Sequence, residues 1–431
     1  MKIIASIVYS FGISGVDGYL VEVEADMIYG DKHVSIVGLG DAAVKEAKDR
    51  LESAVTSCGY NFPQGRFVIN LAPSHIKKGG SHFDVAMACA LLLRTNQIKT
   101  SLQSFALIGE LSLNGNIRPC SGILPMALAA KQAGISHLIV PSKNAGEARL
   151  VKDIKIISCE NLHDVVKALS GELFIDNTCY QSPKRDILTP IDFSDVKGQE
   201  TLIEYMTVAA AGGHNLLMIG PPGCGKSMIA QRIPTILPPM TEDEALEVTK
   251  IYSVANLLKS GGLIQERPFR SPHHNISTNA LIGGGKYSMP GEISFAHDGV
   301  LFLDEIAEFS RKTLESLRQP LEDRKVTIGR VQSTNTFPAN FMLIAAMNPC
   351  PCGYFGLENC RCTDYEIIRY RQKLSGPLID RIDIQKYIKA VNFFEVNKEG
   401  PSSSFLREKV SNARLIQQKS IVKSILLVMQ N

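Results

Sequence analysis

The chain has 431 residues, of which 45% are hydrophobic and 21% are charged, and its formal net charge is +3. This composition is ordinary for two or three folded domains with apolar cores, and the small charge does not by itself indicate nucleic-acid binding. Apolar runs stay below the ~18 residues needed to span a membrane, and the N-terminus is a poor signal peptide, so we expect a cytoplasmic protein with no membrane partner. The ten cysteines are then expected to be free thiols or metal ligands rather than disulfides.

Residues 1–170 are predicted to form the first domain, because strand and helix patterns alternate along them. Strand-like and helical runs follow one another at 34–37, 42–58, 66–71 and 83–93. The segment Gly38-Leu39-Gly40 lacks the third glycine and the acidic residue of a dinucleotide-binding loop, so a tight turn is the better interpretation.

Short segments at 78–81, 109–115, 121–124 and 129–134 resemble the proteolytic domain of Lon. Lon-type proteases use a Ser–Lys dyad, in which the lysine accepts the serine proton. Ser81 falls near the serine's position, but the lysine's position falls at about Leu124, and Lys131 lies roughly two helical turns further on. The resemblance therefore implies a Lon-like α+β domain, of the ribosomal S5 domain 2 type, without peptidase activity. Ser81 is predicted to be a helix N-cap, and the domain a scaffold or a collar for a ring.

Residues 171–190 mix polar, charged and proline residues without a period and are predicted to be a linker.

A phosphate-binding motif of the form G-x-x-x-x-G-K-S follows in the second domain, as Gly220-Pro221-Pro222-Gly223-Cys224-Gly225-Lys226-Ser227. It lies between a strand-like run at 216–219 and a helical stretch at 228–236, which is the context the motif requires. The glycines let backbone N–H groups and the helix N-terminus face a β-phosphate. Lys226 is expected to reach the β- and γ-phosphates of ATP, and Ser227 to bind Mg²⁺.

A second buried strand, at 300–303, ends in two acidic residues, Asp304 and Glu305. Asp304 is predicted to hold Mg²⁺, directly or through water, and Glu305 to act as general base on the attacking water. A third strand, at 341–347, is followed by Asn348, which can orient that water from a neighbouring strand. A turn-forming Asn-Pro pair is a compatible interpretation of Asn348.

Arg381 is the best candidate for an arginine finger that acts on the nucleotide of a neighbouring subunit. It lies in the segment Ser375-Gly376-Pro377-Leu378-Ile379-Asp380-Arg381-Ile382-Asp383. From the residues alone, a surface salt bridge of Arg381 with Asp380 or Asp383 is favoured instead.

Four cysteines form two C-x-C pairs separated by seven residues: Cys350, Cys352, Cys360 and Cys362. A tetrahedral structural Zn²⁺ in the loop 350–362 is the leading interpretation. Because C-x-C is tighter than the usual spacing, one ligand could instead be His273 or His274, and free thiols or a redox pair are further alternatives. A four-cysteine site has no open position, so the metal would staple the loop after Asn348 rather than take part in chemistry.

Further motifs lead into and follow these strands, at 268–274, 283–285, 290–297 and 348–354. The series resembles the magnesium-chelatase-like AAA+ ATPases, and most closely the ComM (competence protein) family, to about residue 417. The resemblance implies an α/β fold in which a P-loop AAA+ domain with a parallel sheet occupies 191–390. It also implies ATP and Mg²⁺ as cofactors and a homo-hexamer as the full-length assembly.

The family's pore elements correspond to an insertion at 291–298 and a pre-sensor hairpin at 326–337. Arg324 and Arg330 lie in or beside this hairpin. They either touch a phosphate backbone or form a solvated face, and phosphate contacts of this kind give affinity without sequence preference.

Residues 391–431 are predicted to begin a truncated helical lid. A helix is expected at 406–417, and the sequence then changes character, as in a frameshifted or prematurely stopped chain. Arg414 is not at the position of the family's second sensor arginine. ATP binding is expected to survive, while a truncated lid would impair hydrolysis and ring assembly.

The leading functional hypothesis is therefore a ring translocase or helicase that acts on branched or single-stranded DNA. The resemblance to ComM implies this role, in recombination during natural transformation. One alternative is a protein-remodelling motor akin to the magnesium chelatase motor subunit. Another is a nucleotide-binding remnant that does not turn over.

Overall fold

The computed structural model describes residues 5–172, 191–258, 262–285, 288–329, 334–389 and 400–429. The chain divides into two compact units, the first of which combines Met1–Pro183 with Thr249–Leu263. Thr249–Leu263 thus clusters with the first unit, although it lies inside the range predicted for the ATPase core. Most of the predicted linker, from residue 173 to 190, lies outside the described residues.

The first unit contains nine strands and six α-helices among its described residues, not counting the part of a helix that it shares with the second unit. The strands are β1 (Ser6–Ser14), β2 (Asp17–Ile28), β3 (His33–Val37), β4 (Arg66–Ala72), β5 (Phe105–Leu107), β6 (Glu110–Leu111), β7 (Ile117–Arg118), β8 (His137–Pro141) and β9 (Lys155–Cys159). The helices are α1 (Ala42–Lys45), α2 (Ala47–Ser57), α3 (Asp84–Arg94), α4 (Ile123–Gln132), α5 (Ala145–Ala148) and α6 (Leu162–Leu169).

A mixed seven-stranded sheet, in the order β3-β4-β2-β1-β5-β8-β9, is the framework of this unit. The strand β2 is antiparallel to both of its neighbours, β1 and β4, and the remaining pairs are parallel. Alternate residues of β4, Phe67, Ile69 and Leu71, are fully buried, as the period of a strand with one face on a core requires. They join the buried helix α3 in one apolar core.

The prediction that Ser81 caps a helix is wrong. The N-cap position of α3 falls two residues later and has no side-chain cap bond, while the Ser81 hydroxyl donates to Glu110 Oε2. Leu124 is fully buried, and Lys131 pairs with Asp153 at 2.9 Å. The partner of Ser81 is therefore a carboxylate, and the lysine considered for the dyad is engaged elsewhere.

The second unit contains the remaining elements. Its strands are β10 (Leu216–Ile219), β11 (Phe269–Arg270), β12 (Gly283–Gly284), β13 (Met289–Pro290), β14 (Val300–Leu303), β15 (Lys325–Gly329), β16 (Thr334–Pro338), β17 (Met342–Met347) and β18 (Ile384–Tyr387). Its helices, including the shared α9, are α7 (Glu200–Gly212), α8 (Lys226–Ile236), α9 (Glu242–Val254), α10 (Thr278–Ile282), α11 (Glu292–Phe295), α12 (Arg311–Glu315), α13 (Arg318–Asp323), α14 (Asp364–Arg371), α15 (Gly376–Ile379) and α16 (Ser403–Met429). The described residues also include short 3₁₀ helices at Ser142–Asn144, Phe193–Asp195 and Ile306–Glu308.

An all-parallel sheet in the order β11-β14-β17-β10-β18 forms the centre of the second unit. Its central strands are apolar without interruption because both faces are covered: Leu216 and Met218 face one core, and Leu217 and Ile219 face the other. The carboxyl ends of β14, β17 and β10 meet at one edge, so the segments that follow these strands come together there. The predicted α/β fold with a parallel sheet is thus confirmed.

The segment 291–298, expected to be a pore-facing insertion, contains the short helix α11, in which Ile293 is fully buried and Phe295 nearly so. Its place at a pore stays a prediction. The predicted pre-sensor hairpin is present as β15 and β16, which pair antiparallel with Val326 opposite Phe337. Arg324 precedes the hairpin and donates to Asn340 Oδ1 at 3.2 Å. The other arginine considered there, Arg330, lies outside the described residues.

The helix α16 is longer than expected, because it continues without a break past residue 417. Its first half packs on the rest of the second unit through Leu406 and Val410, and the Arg414 guanidinium donates to Ala210 O at 2.7 Å. None of the helices in the described part of the chain combines the length and apolar character needed to cross a lipid bilayer.

Candidate nucleotide-binding site

The loop between β10 and α8 has the backbone geometry of a phosphate cradle. Gly223 and Gly225 have φ angles of +77° and +84°, where residues with a Cβ are strained. Gly220 packs closely on the chain after β18, since a Cβ at this position would lie 2.8 Å from Ile388 O. The helix α8 starts at Lys226, so its N-terminal N–H groups and the positive end of its dipole lie at this loop.

Lys226 is nearly buried, and oxygens of the surrounding loops hold its ammonium group. Its Nζ donates to Gly220 O at 2.7 Å, to Pro221 O at 2.9 Å and to Asn348 Oδ1 at 3.3 Å. Asn348 reaches this position because β17 lies directly beside β10 in the sheet. The structure therefore brings together two of the predicted site residues, 122 positions apart in the sequence.

The two predicted magnesium ligands also lie in contact. Ser227 Oγ donates to Asp304 Oδ2 at 2.6 Å, and the other carboxylate oxygen of Asp304 accepts the Glu305 N–H at 3.0 Å. Mg²⁺ prefers oxygen ligands and is commonly bound by one or two protein groups together with substrate phosphates. A hydroxyl and a carboxylate beside a phosphate cradle are a donor set that fits this ion.

Glu305 projects from a strained backbone position, with φ of +49°, and its side chain is exposed. Its Oε2 lies 3.6 Å from His274 Nδ1. His274 arrives there because β11, which precedes it, lies beside β14. The sequence suggested His274 only as an alternative zinc ligand, and no pattern in the chain points to its pairing with Glu305.

Arg381 forms its ion pair with Glu322 of α13. The expected pairing with Asp380 or Asp383 is therefore wrong. Asp383 instead accepts the Asn215 N–H at 2.8 Å. The role of Arg381 as an arginine finger remains a prediction, because it concerns the nucleotide of another subunit.

The four cysteines predicted as a metal site lie together. The Sγ atoms of Cys350, Cys352, Cys360 and Cys362 are all within 4.8 Å of one another. Three of the separations are 3.4 Å (350 to 352), 3.8 Å (352 to 360) and 3.9 Å (350 to 360). Four sulfurs at ~2.3 Å from a tetrahedral Zn²⁺ are about 3.8 Å apart, so the donor set fits this metal. The backbone N–H of Cys352 also donates to Cys362 Sγ at 3.4 Å.

This edge of the sheet defines a class of protein. A phosphate cradle follows β10, acidic residues follow β14, and a polar residue follows the strand between them, β17. This is the arrangement of a P-loop nucleotide-binding protein of the AAA+ type.

Comparison with known proteins gives the family. Residues 192–396 match the family described as magnesium chelatase, subunit ChlI, and residues 23–144 match a second family, subunit ChlI of Mg-chelatase. Competence protein ComM of Haemophilus influenzae is 39% identical over 426 residues, which cover 96% of this chain and 83% of that protein. An uncharacterized protein of Mycobacterium tuberculosis is 41% identical over 413 residues, covering 94% and 81%. The chain belongs to the ComM and magnesium-chelatase-like family of AAA+ proteins, and this membership implies the use of ATP and Mg²⁺.

The predicted likeness to Lon also has support. A Lon protease of Clostridium beijerinckii is 25% identical over 177 residues, which are 39% of this chain and 22% of that protein.

Proposed function

We propose that the chain is a cytoplasmic ATPase that assembles into a hexameric ring and couples ATP hydrolysis to movement along branched or single-stranded DNA. The observation that carries the ATPase proposal is the contact of Ser227 with Asp304, at 2.6 Å, beside the Lys226–Asn348 pair. A phosphate-binding lysine, two magnesium ligands and a polar residue on the intervening strand are the groups that phosphoryl transfer to water requires.

Each group at the site has a separate role in the proposed hydrolysis of ATP. Bound ATP·Mg²⁺ supplies the phosphoryl group, and the metal neutralises charge on the phosphates. The loop amides and Lys226 bind the phosphates, while Ser227 and Asp304 hold the metal. Glu305 accepts the proton of the attacking water, and Asn348 orients that water.

The DNA part of the proposal comes from the relationship to competence protein ComM and from the hairpin β15–β16. It is tested by measuring ATP hydrolysis with and without forked DNA, together with the mobility of that DNA on a gel. We expect forked DNA to raise the rate of hydrolysis and to be retarded. Unchanged hydrolysis and unchanged mobility would contradict DNA as the substrate.

A protein-remodelling motor is a second candidate, which the match of residues 192–396 to the magnesium chelatase subunit favours. In that case ATP hydrolysis occurs but does not respond to DNA. A chain that binds ATP without hydrolysing it would instead be a nucleotide-binding remnant, so binding and turnover must be measured on the same preparation.

We also propose that the four cysteines bind one structural Zn²⁺. The distances between their sulfurs support the metal, and reduced thiols are expected in the cytoplasm. Metal analysis of the purified chain is expected to give one zinc per chain. A chain that neither contains zinc nor takes it up would contradict this site.

A further inference from the structure

The cysteine loop touches the phosphate-binding loop through Gly353. This residue is buried and has a φ of +86°. A Cβ at Gly353 would lie 2.8 Å from Pro222 Cδ and 3.8 Å from Asn348 Cγ. The close approach of the two loops therefore requires a glycine.

The same turn is attached to the metal-ligating cysteines. The Gly353 N–H donates to Cys350 O at 3.0 Å, and Cys350 is fully buried, two residues after Asn348. The carbonyl of Pro349, between them, accepts from Arg371 Nε at 3.4 Å. Residues 348–353 thus connect the end of β17 directly to the cysteine cluster.

Beyond the cysteines, the rest of the loop is held by short turns and by the Arg371 guanidinium, which lies 4.9 Å from the centre of the Phe355 ring. Its described residues from 350 to 362 contain neither helix nor strand, and most of them are exposed. Their backbone hydrogen bonds include short-range turns at Gly353, Leu357 and Cys360. The four sulfurs are the groups that bring both ends of this segment to one point, so a metal there would act as its main cross-link.

We propose that the four-cysteine metal site is a positioning device for the nucleotide-binding site. The bound metal fixes residues 350–353. These residues keep the Asn348 side chain close to Lys226, and they keep Pro222 packed against the cysteine loop. This inference rests on the proposed zinc site and ATPase activity. Loss of the metal is expected to lower hydrolysis more than it lowers the affinity for nucleotide, because Lys226 and the N-terminus of α8, which face the phosphates, belong to other segments.

The experiment compares hydrogen–deuterium exchange in the full chain, zinc content, nucleotide affinity and hydrolysis for four proteins. They are the wild type, Cys352→Ser, Gly353→Ala and Cys58→Ser. Gly353→Ala keeps all four ligands but places a methyl group against Pro222. Cys58→Ser is the matched control, since Cys58 is a free, partly exposed cysteine of the first unit.

We expect Cys352→Ser to lose zinc and to exchange faster both in the cysteine loop and in peptides covering 220–225. Gly353→Ala should keep zinc and show faster exchange at 220–225, and Cys58→Ser should match the wild type. Hydrolysis by the first two variants should fall on the order of 10- to 100-fold, as for misplaced catalytic groups, with a much smaller change in nucleotide affinity.

If zinc is lost and hydrogen–deuterium exchange at 220–225 does not change, the positioning role is overturned, while the zinc site itself is not contradicted. A wild type that neither contains nor takes up zinc would overturn this proposal together with the site. If the wild type does not hydrolyse ATP, the proposed function fails, and the exchange comparison still decides whether the metal orders the phosphate-binding loop.

Discussion

The Lys226 ammonium group donates hydrogen bonds to three oxygens, and two of these are backbone carbonyls of the phosphate-binding loop. We expect Lys226→Ala to lower the affinity for ATP by at least about ten-fold, because the charge that faces the β- and γ-phosphates is lost. Titration with a fluorescent ATP analogue measures this effect. The control is Lys312→Ala on the exposed side of α12, and equal affinities for the two variants would contradict the assignment.

Glu305 offers a separate test, of hydrolysis rather than binding. Glu305→Gln keeps the size of the side chain but removes the base, so hydrolysis should fall about 10²- to 10⁴-fold while ATP still binds. Glu308→Gln is a matched control three residues along, where the carboxylate pairs with Lys373. Single-turnover rates measured beside nucleotide affinity distinguish the two effects, and a Glu305→Gln chain that hydrolyses ATP normally would exclude this base.

At the residue scale, the sequence was informative where a motif lies within a few positions and uninformative for pairs between distant segments. The P-loop and the C-x-C pairs could be recognised because their members are neighbours along the chain. The contacts of His274 with Glu305, of Arg381 with Glu322 and of Ser81 with Glu110 join separate elements. No local period or spacing encodes such pairs, so they depend on how the elements pack.

At the scale of elements, continuous apolar runs predicted the central strands, because a parallel strand is buried on both faces. Their order in the sheet is fixed partly by polar contacts. Asn215, which precedes β10, is nearly buried; its side chain accepts the Leu343 N–H at 2.9 Å and donates to Arg381 O at 2.8 Å. One side chain therefore ties β10 to β17 and to the segment before β18.

We expect Asn215→Ala to lower the free energy of unfolding of the second unit by about 2–4 kcal/mol, because the buried Leu343 N–H loses its partner at a cost of about 1–3 kcal/mol and the partly buried Arg381 carbonyl loses its partner at a smaller cost. Urea-induced unfolding followed by circular dichroism measures the change. Gln385→Ala, on the exposed side of β18, is the control and should stay within about 0.5 kcal/mol of wild type. A similar stability for both variants would contradict the proposed tie.

Different effects are expected from the two arginines considered for DNA contact, Arg324 and Arg330. Arg324 donates to Asn340 Oδ1 and to Phe341 O at 3.4 Å, so Arg324→Ala should lower the melting temperature. Arg330→Ala should instead weaken DNA binding and reduce its salt dependence, without changing hydrolysis in the absence of DNA, because one phosphate contact is lost. Two measurements test these different roles: DNA affinity over a range of salt concentrations, and thermal unfolding of each variant. Unaltered DNA affinity in Arg330→Ala would remove the hairpin arginine from the proposed interface.

At the scale of the whole molecule, the site within one chain contains the groups proposed to bind ATP and to activate the attacking water. The proposed arginine finger, Arg381, would act on the nucleotide of another subunit. A head-to-tail ring brings the arginine of one copy to the nucleotide of the next. The pairing of Arg381 with Glu322 in the single chain is compatible with this role only if the guanidinium changes partner when subunits assemble. The ring hypothesis and the salt-bridge interpretation therefore make opposite predictions for mixtures of variants.

Arg381→Ala and Lys226→Ala should each be nearly inactive alone, since an arginine finger contributes about 10³- to 10⁵-fold to the rate. In an equal mixture, about a quarter of the interfaces in a randomly assembled ring combine an intact P-loop with an intact Arg381. ATP hydrolysis should thus recover in the mixture, with a maximum near equal amounts. Lys226→Ala mixed with Glu305→Gln is the control without recovery, because both defects lie on the P-loop side of the interface. If differently tagged variants co-purify as mixed rings and hydrolysis still does not recover, Arg381 acts within its own chain, through Glu322.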